Sequence, residues 1–170
     1  MIEVNVKFFP GEYCNPDAIP KTLSYIFNLE SRNPLPVRFY GLPDVGGYPP
    51  SYEKVIQQFQ KVRAAQNNIS SQQVWHMVIS FPCLFEEPYG TYFYFADAVA
   101  KVFAYEYPVC YAYHTKNKTT GNKHSHFHYI ISTSSYIPDY PPLDANKMQA
   151  YFNHTQETAS LYDILLQIRQ

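Results

Sequence analysis

The run His124-Ser125-His126-Phe127-His128-Tyr129-Ile130-Ile131-Ser132 alternates imidazoles with other side chains, and this period of two constrains the chain more than any other feature. On a β-strand, residues i, i+2 and i+4 share a face, so His124, His126 and His128 point the same way at about 6–7 Å per step. Three imidazoles on one face repel one another when protonated and fill space poorly when neutral, which points to a metal role rather than to packing. With metal–nitrogen bonds of roughly 2.1 Å, one ion can join adjacent members but hardly both His124 and His128, about 13 Å apart along the strand. His126 is therefore the shared ligand in either pairing.

A second strand, Pro108 to Thr115, precedes this one (His124 to Thr133) across a polar connection containing Thr120-Gly121, which suggests a hairpin. Loop parity decides whether His114 joins the histidine face. A three- or five-residue loop centred near Thr120 opposes His114 to His126, whereas a two-residue turn opposes it to Phe127, so an odd-numbered loop is expected. Residues 73–81 read as a further strand, with His76, Val74, Val78 and Ser80 on one face and Trp75, Met77, Ile79 and Phe81 on the other. If Phe127, Tyr129 and Ile131 face the same core as Trp75, five of the six histidines line one side of a three-stranded sheet. His154 stands apart and reads as structural.

The rest of the chain supplies the frame. Residues 2–9 alternate as a strand closed by Pro10-Gly11, and Asp17 to about Glu30 reads as a helix with Ile19, Leu23, Ile26 and Phe27 as its apolar stripe and Tyr25 off it. Asn33 to Pro50 is too rich in Pro and Gly for regular structure and reads as a long loop, with Tyr40, Tyr48 and Tyr52 around it as possible stacking platforms. Helices are expected over Ser51–Gln66 and Tyr92–Glu106, and the tail from Asp144 to Gln170 reads as one or two helices interrupted near Asn153–Thr158. This order predicts an α+β fold: a central, largely antiparallel sheet with flanking helices.

At 170 residues, with 46% apolar and 16% charged side chains, the chain has material for one packed domain spanning 1–170. No apolar run approaches a membrane span, and the N-terminus shows no signal-peptide pattern, so a cytoplasmic protein is expected. The three cysteines, Cys14, Cys83 and Cys110, are widely spaced and fit reduced thiols. A net charge of −1 excludes a generally basic nucleic-acid binder. Any affinity for a polyanion must be local, and Lys116, Lys118 and Lys123 bracket the histidine strand.

Three segments together resemble the relaxase, or mobilisation nuclease, family of His-hydrophobic-His endonucleases: Trp75-His76-Met77-Val78-Ile79-Ser80-Phe81, Tyr107 to His114-Thr115, and His124 to His128 followed by Tyr129-Ile130-Ile131-Ser132. Near the N-terminus, Lys21-Thr22-Leu23-Ser24-Tyr25-Ile26 resembles the segment in which such enzymes place a nucleophilic tyrosine. The resemblance implies a central antiparallel sheet flanked by helices, and metal-dependent, site-specific nicking of single-stranded DNA at an origin-of-transfer-like site. It implies Tyr25 as nucleophile, His114, His126 and His128 as ligands, and His124 and His76 as supporting or alternative ligands. Mg²⁺ or Mn²⁺ is the implied ion, with Zn²⁺ or Ni²⁺ also acceptable to imidazoles. Accessory DNA-binding or conjugation proteins are the implied partners, and Lys116, Lys118 and Lys123 the implied DNA contacts. Lys116 stands where the family carries an acidic residue, and Ser132 where it carries Asn. Two other readings follow from the same residues. A rolling-circle initiator or single-tyrosine transposase would use Tyr151 or Tyr162 instead of Tyr25, and a non-catalytic descendant would bind DNA or metal alone.

Overall fold

The computed structural model describes residues 1–9, 13–27, 37–42, 51–67, 69–85, 90–116 and 121–169, the side chains of residues 37 and 39 aside. Ten elements follow in chain order: β1 (Ile2–Phe8), α1 (Ala18–Phe27), β2 (Val37–Tyr40), α2 (Tyr52–Ala64), β3 (Val74–Ser80), α3 (Thr91–Ala104), β4 (Val109–Lys116), β5 (Lys123–Ser132), α4 (Ala145–Ser160) and β6 (Ile164–Ile168). The strands form one sheet in the order β2-β4-β5-β3-β1-β6, antiparallel throughout except where β6 runs parallel to β1. This is the expected α+β arrangement.

The alternation of β3, β4 and β5 divides two cores. Trp75, Met77, Ile79, Tyr111, Phe127, Tyr129 and Ile131 face one way and join Phe95, Val99 and Phe103 of α3 and Met148 and Phe152 of α4. Cys110, Ala112 and Ile130 face the other way, beneath Ile19, Leu23, Ile26 and Phe27 of α1 and Val55 and Phe59 of α2. The polar groups of the first core are satisfied: Trp75 donates to the Leu143 carbonyl at 2.8 Å, and Ser125 Oγ meets Tyr113 Oη at 2.8 Å. The imidazoles thus occupy the α1 side of the sheet because the larger aromatic residues between them fill the α3–α4 side.

Two expectations are corrected. The tail is not helical throughout, nor interrupted at Asn153–Thr158: α4 runs unbroken through these residues, whose polar side chains mostly face outward, and Thr155 donates to the Tyr151 carbonyl within the helix. The break falls instead at Asp163, whose φ of 57° turns the chain so that Ile164–Ile168 pair with β1. The Pro/Gly-rich stretch contains a strand, β2, held by pairing of Val37–Tyr40 with β4. The remainder of that stretch, residues 33–36 and 43–50 with Tyr48, lies outside the described residues, as do residues 28–30 of the expected first helix.

Cys14, Cys83 and Cys110 are free thiols. Among the described residues, no helix is long and apolar enough to cross a membrane.

Candidate metal centre and active site

The hairpin of β4 and β5 builds the site. His114 is the cross-strand partner of His126, as the sequence predicts, but not through an odd loop. The last pair is Lys116 with Lys123, which leaves six connecting residues, 117–122, and a register shift between His114 and Lys116 restores the pairing. Gly121, at φ +74°, takes up the left-handed backbone that a side chain would strain. Thr120 and Lys118 lie outside the described residues.

His114, His126 and His128 are all buried, and each offers a ring nitrogen within 4.8 Å of the others'. Their ring centroids are 5.6 Å (His114–His126), 4.4 Å (His114–His128) and 5.1 Å (His126–His128) apart. A donor set of three nitrogens this close fits one divalent ion, whose bonds to imidazole are about 2.1 Å. His124 stacks on His126 at 4.6 Å and is only half-buried, at the rim of the cluster. His76 reaches in from β3, its Nε2 2.7 Å from His128 Nδ1. His154 lies elsewhere, exposed on α4 beside Glu157.

Hydrogen bonds orient the rings. His126 Nδ1 lies 3.1 Å from the His124 carbonyl oxygen, and a proton held there puts the lone pair on Nε2. His114 Nε2 lies 3.0 Å from the carbonyl oxygen of Ile26, in the last turn of α1, where helix carbonyls lack intrahelical partners. That bond ties β4 to the turn carrying Tyr25.

Tyr25 leaves the apolar stripe of α1, is 41% exposed, and sets its ring 5.6 Å from that of His128, 6.2 Å from His114 and 6.4 Å from His76. It lines a cleft of about 590 Å³ with His76, His124, His126 and His128, and with Lys7, Lys116 and Lys21, the last ion-paired with Asp17 at 2.5 Å. A second cleft of about 580 Å³ adjoins it, sharing Lys7, Ser80 and His124 and adding Lys123 and Arg169. Among the described residues no carboxylate lines either cleft, in a chain with 14 acidic side chains. Lys116 and Lys123 are direct cross-strand partners, an arrangement of like charges that an anion would relieve.

Tyr151 and Tyr162 are not brought to the histidines. Tyr151 stacks on Phe103 and Tyr162 packs on Phe95, both against the α3–α4 core across the sheet. Of the other aromatic candidates, Tyr52 stacks on Phe27 and Tyr40 lies beside Lys101 and Gly41, and neither lines the cleft. Ser132 lies at the far end of β5, where its hydroxyl donates to the Ser134 carbonyl. Sequence reasoning missed Tyr13, Lys7 and Arg169, which carry no spacing signal and meet the site only through the tertiary fold, and it missed Lys21 as a cleft residue although its i, i+4 spacing from Tyr25 on α1 puts both on one helix face.

Family comparison spans the segment that carries the hairpin and the histidine cluster. A family model described as "Relaxase: MobA/VirD2-like, nuclease domain" matches residues 42–157, more than half of the chain. The chain belongs to the relaxase family. Its class of activity is therefore the nicking of DNA. The match covers β3, β4 and β5 with their histidines and begins after α1, so Tyr25 in this relaxase lies outside it. No curated protein matches the chain significantly.

Burial holds the imidazoles of His76 and His126 down at about 4, with the nearby His114 adding to the effect. Both are therefore neutral at pH 7, as ligation and neutral hydrogen bonding require. Because the native pKa lies below the unfolded value of about 6.5, the unfolded chain binds more protons between these limits, and stability falls as pH falls through them. The metal-free protein is expected to lose several kcal/mol, at order of magnitude, between pH 7.5 and 4.5, with little change above 7.5. Urea melts in EDTA check this, and His126→Gln should flatten the slope. A pH-independent midpoint, or an unchanged slope in the variant, contradicts it.

Proposed function

We propose that this relaxase domain nicks single-stranded DNA by transesterification, with Tyr25 as nucleophile and His114, His126 and His128 holding a divalent ion, Mg²⁺ or Mn²⁺, at the scissile phosphate. The observation that carries this reading is the seating of Tyr25, half exposed, over the three-imidazole cluster in a cleft lined by cations. When bound, the ion polarises the phosphate and stabilises its developing charge.

The remaining work falls to the chain. Tyr25 Oη forms a bond to phosphorus as the P–O3′ bond breaks. The phenolic proton is released, the departing 3′ oxygen takes up a proton, and the 5′ phosphate stays on Tyr25 as a phosphodiester. Lys116, Lys118 and Lys123, with Lys7 and Arg169, supply the local positive field that a chain of near-neutral net charge needs for the strand, and Lys21 adds to it less because Asp17 pairs with it. His124 and His76 support the ligands. The substrate would be an origin-of-transfer-like site on a plasmid or mobile element in the cytoplasm, where accessory DNA-binding or conjugation proteins assist.

The test is incubation with a randomised single-stranded DNA pool and Mn²⁺, followed by mass spectrometric mapping of covalently attached nucleotide. A metal-dependent adduct on Tyr25 is expected. An adduct on Tyr151 or Tyr162 would indicate a transposase-like arrangement, and no adduct, in a protein that binds Mn²⁺, a non-catalytic descendant.

A further inference from the structure

The cluster does not end at the three imidazoles. Tyr13, in the connection between β1 and α1, places its Oη 2.6 Å from His76 Nδ1, and His76 Nε2 lies 2.7 Å from His128 Nδ1. Both ring nitrogens of His76 are thereby engaged, and the run crosses from the β1–α1 connection through β3 to β5. His76 is only 4% exposed and stacks on Phe9 at 4.9 Å, so its ring is fixed in plane as well as in hydrogen bonding.

A neutral imidazole carries one proton, which leaves this run two directions. In one, Tyr13 donates to His76, His76 donates to His128, and the proton of His128 sits on Nε2. In the other, His128 donates from Nδ1 to His76, His76 donates from Nδ1 to Tyr13, and the lone pair of His128 lies on Nε2. Only the second makes His128 a ligand, because its Nδ1 is already engaged by His76. A hydrogen-bonded partner on the far nitrogen of a ligating histidine fixes both its tautomer and its ring orientation.

We propose that Tyr13 and His76 are positioning residues of the metal centre: the chain Tyr13–His76–His128 holds His128 with its proton on Nδ1 and its Nε2 presented to the ion. The inference rests on the metal-centre reading above and extends it to two residues of which Tyr13 has no sequence signature and lies outside the family match.

The experiment is calorimetric titration of Mn²⁺ into the metal-free full chain, without DNA, for the wild type, Tyr13→Phe, His76→Phe and His76→Gln, with thermal melts to confirm folding. His76→Phe should weaken Mn²⁺ binding about 10–100-fold. Tyr13→Phe, which retains the ring, should weaken it several-fold. His76→Gln, whose amide oxygen can accept from His128 Nδ1, should recover most of the affinity lost in His76→Phe. In the Zn²⁺-loaded protein, long-range ¹H–¹⁵N spectra should show His128 protonated at Nδ1. Wild-type affinity in His76→Phe and Tyr13→Phe overturns the proposal while leaving the metal centre standing. Failure of His76→Gln to recover affinity in a folded protein assigns His76 to packing and overturns it also. A wild-type chain that binds no Mn²⁺ overturns the metal-centre reading itself.

Discussion

Tyr25→Phe is expected to lower DNA nicking by at least about 10³-fold and to remove the covalent protein–DNA adduct altogether, because removing an attacking nucleophile removes the step rather than slowing it. The substitution deletes one oxygen and keeps the ring that packs near His76, His114 and His128. Tyr25 is 41% exposed where it faces the cleft, so stability should change by no more than about 1 kcal/mol. Mn²⁺ affinity should be that of the wild type. Gel-resolved adduct formation and calorimetry separate these effects. An adduct persisting in Tyr25→Phe would move the nucleophile elsewhere, with Tyr13 the first residue to map because it lines the same cleft.

His126→Ala is the second large effect. This imidazole faces His114 across the hairpin and lies one strand step from His128, so its loss leaves only two of the three clustered nitrogens. Mn²⁺ binding should weaken by more than about 100-fold, beyond the range seen for supporting groups, and nicking should be lost with it. His124→Ala provides the contrast. Its ring stacks on His126 from the rim and lies outside the cluster, so its loss should cost less than about tenfold in Mn²⁺ affinity. Equal losses in the two variants would mean that the ion is held along β5 by His124 and His126 instead of across the hairpin. A melt of each variant checks that the fold survives the cavity left at buried His126.

Much of this site was legible because its information is periodic. The two-residue alternation of β5 follows from backbone sterics, so the shared face of His124, His126 and His128 could be read from six or seven residues. The same alternation assigned His76 to that face and Trp75, Met77 and Ile79 to the core behind it. The pairing of His114 with His126 was also legible, but the route to it was not. A register shift is a local departure from parity, set by how the chain closes its turn. That Tyr25 lies off the apolar stripe of α1 was legible, its role only through the family resemblance, and the bond from His114 to the Ile26 carbonyl shows how its turn is tied to the histidine cluster.

What the sequence determined by itself was each strand's inward and outward faces and the identity of the imidazoles on one of them. The tertiary structure decided which distant segments meet. Ile164–Ile168 is a short apolar run that periodicity cannot separate from a helix, and it becomes a strand because the edge of β1 offers it hydrogen bonds. Arg169 follows it to the second cleft, and Tyr13 reaches His76 across 63 positions of chain. Local sterics write the period of a strand into its own residues, but the partner of a strand edge or of a buried ring nitrogen is chosen by long-range burial and hydrogen bonding, and that choice leaves no mark in the segment itself.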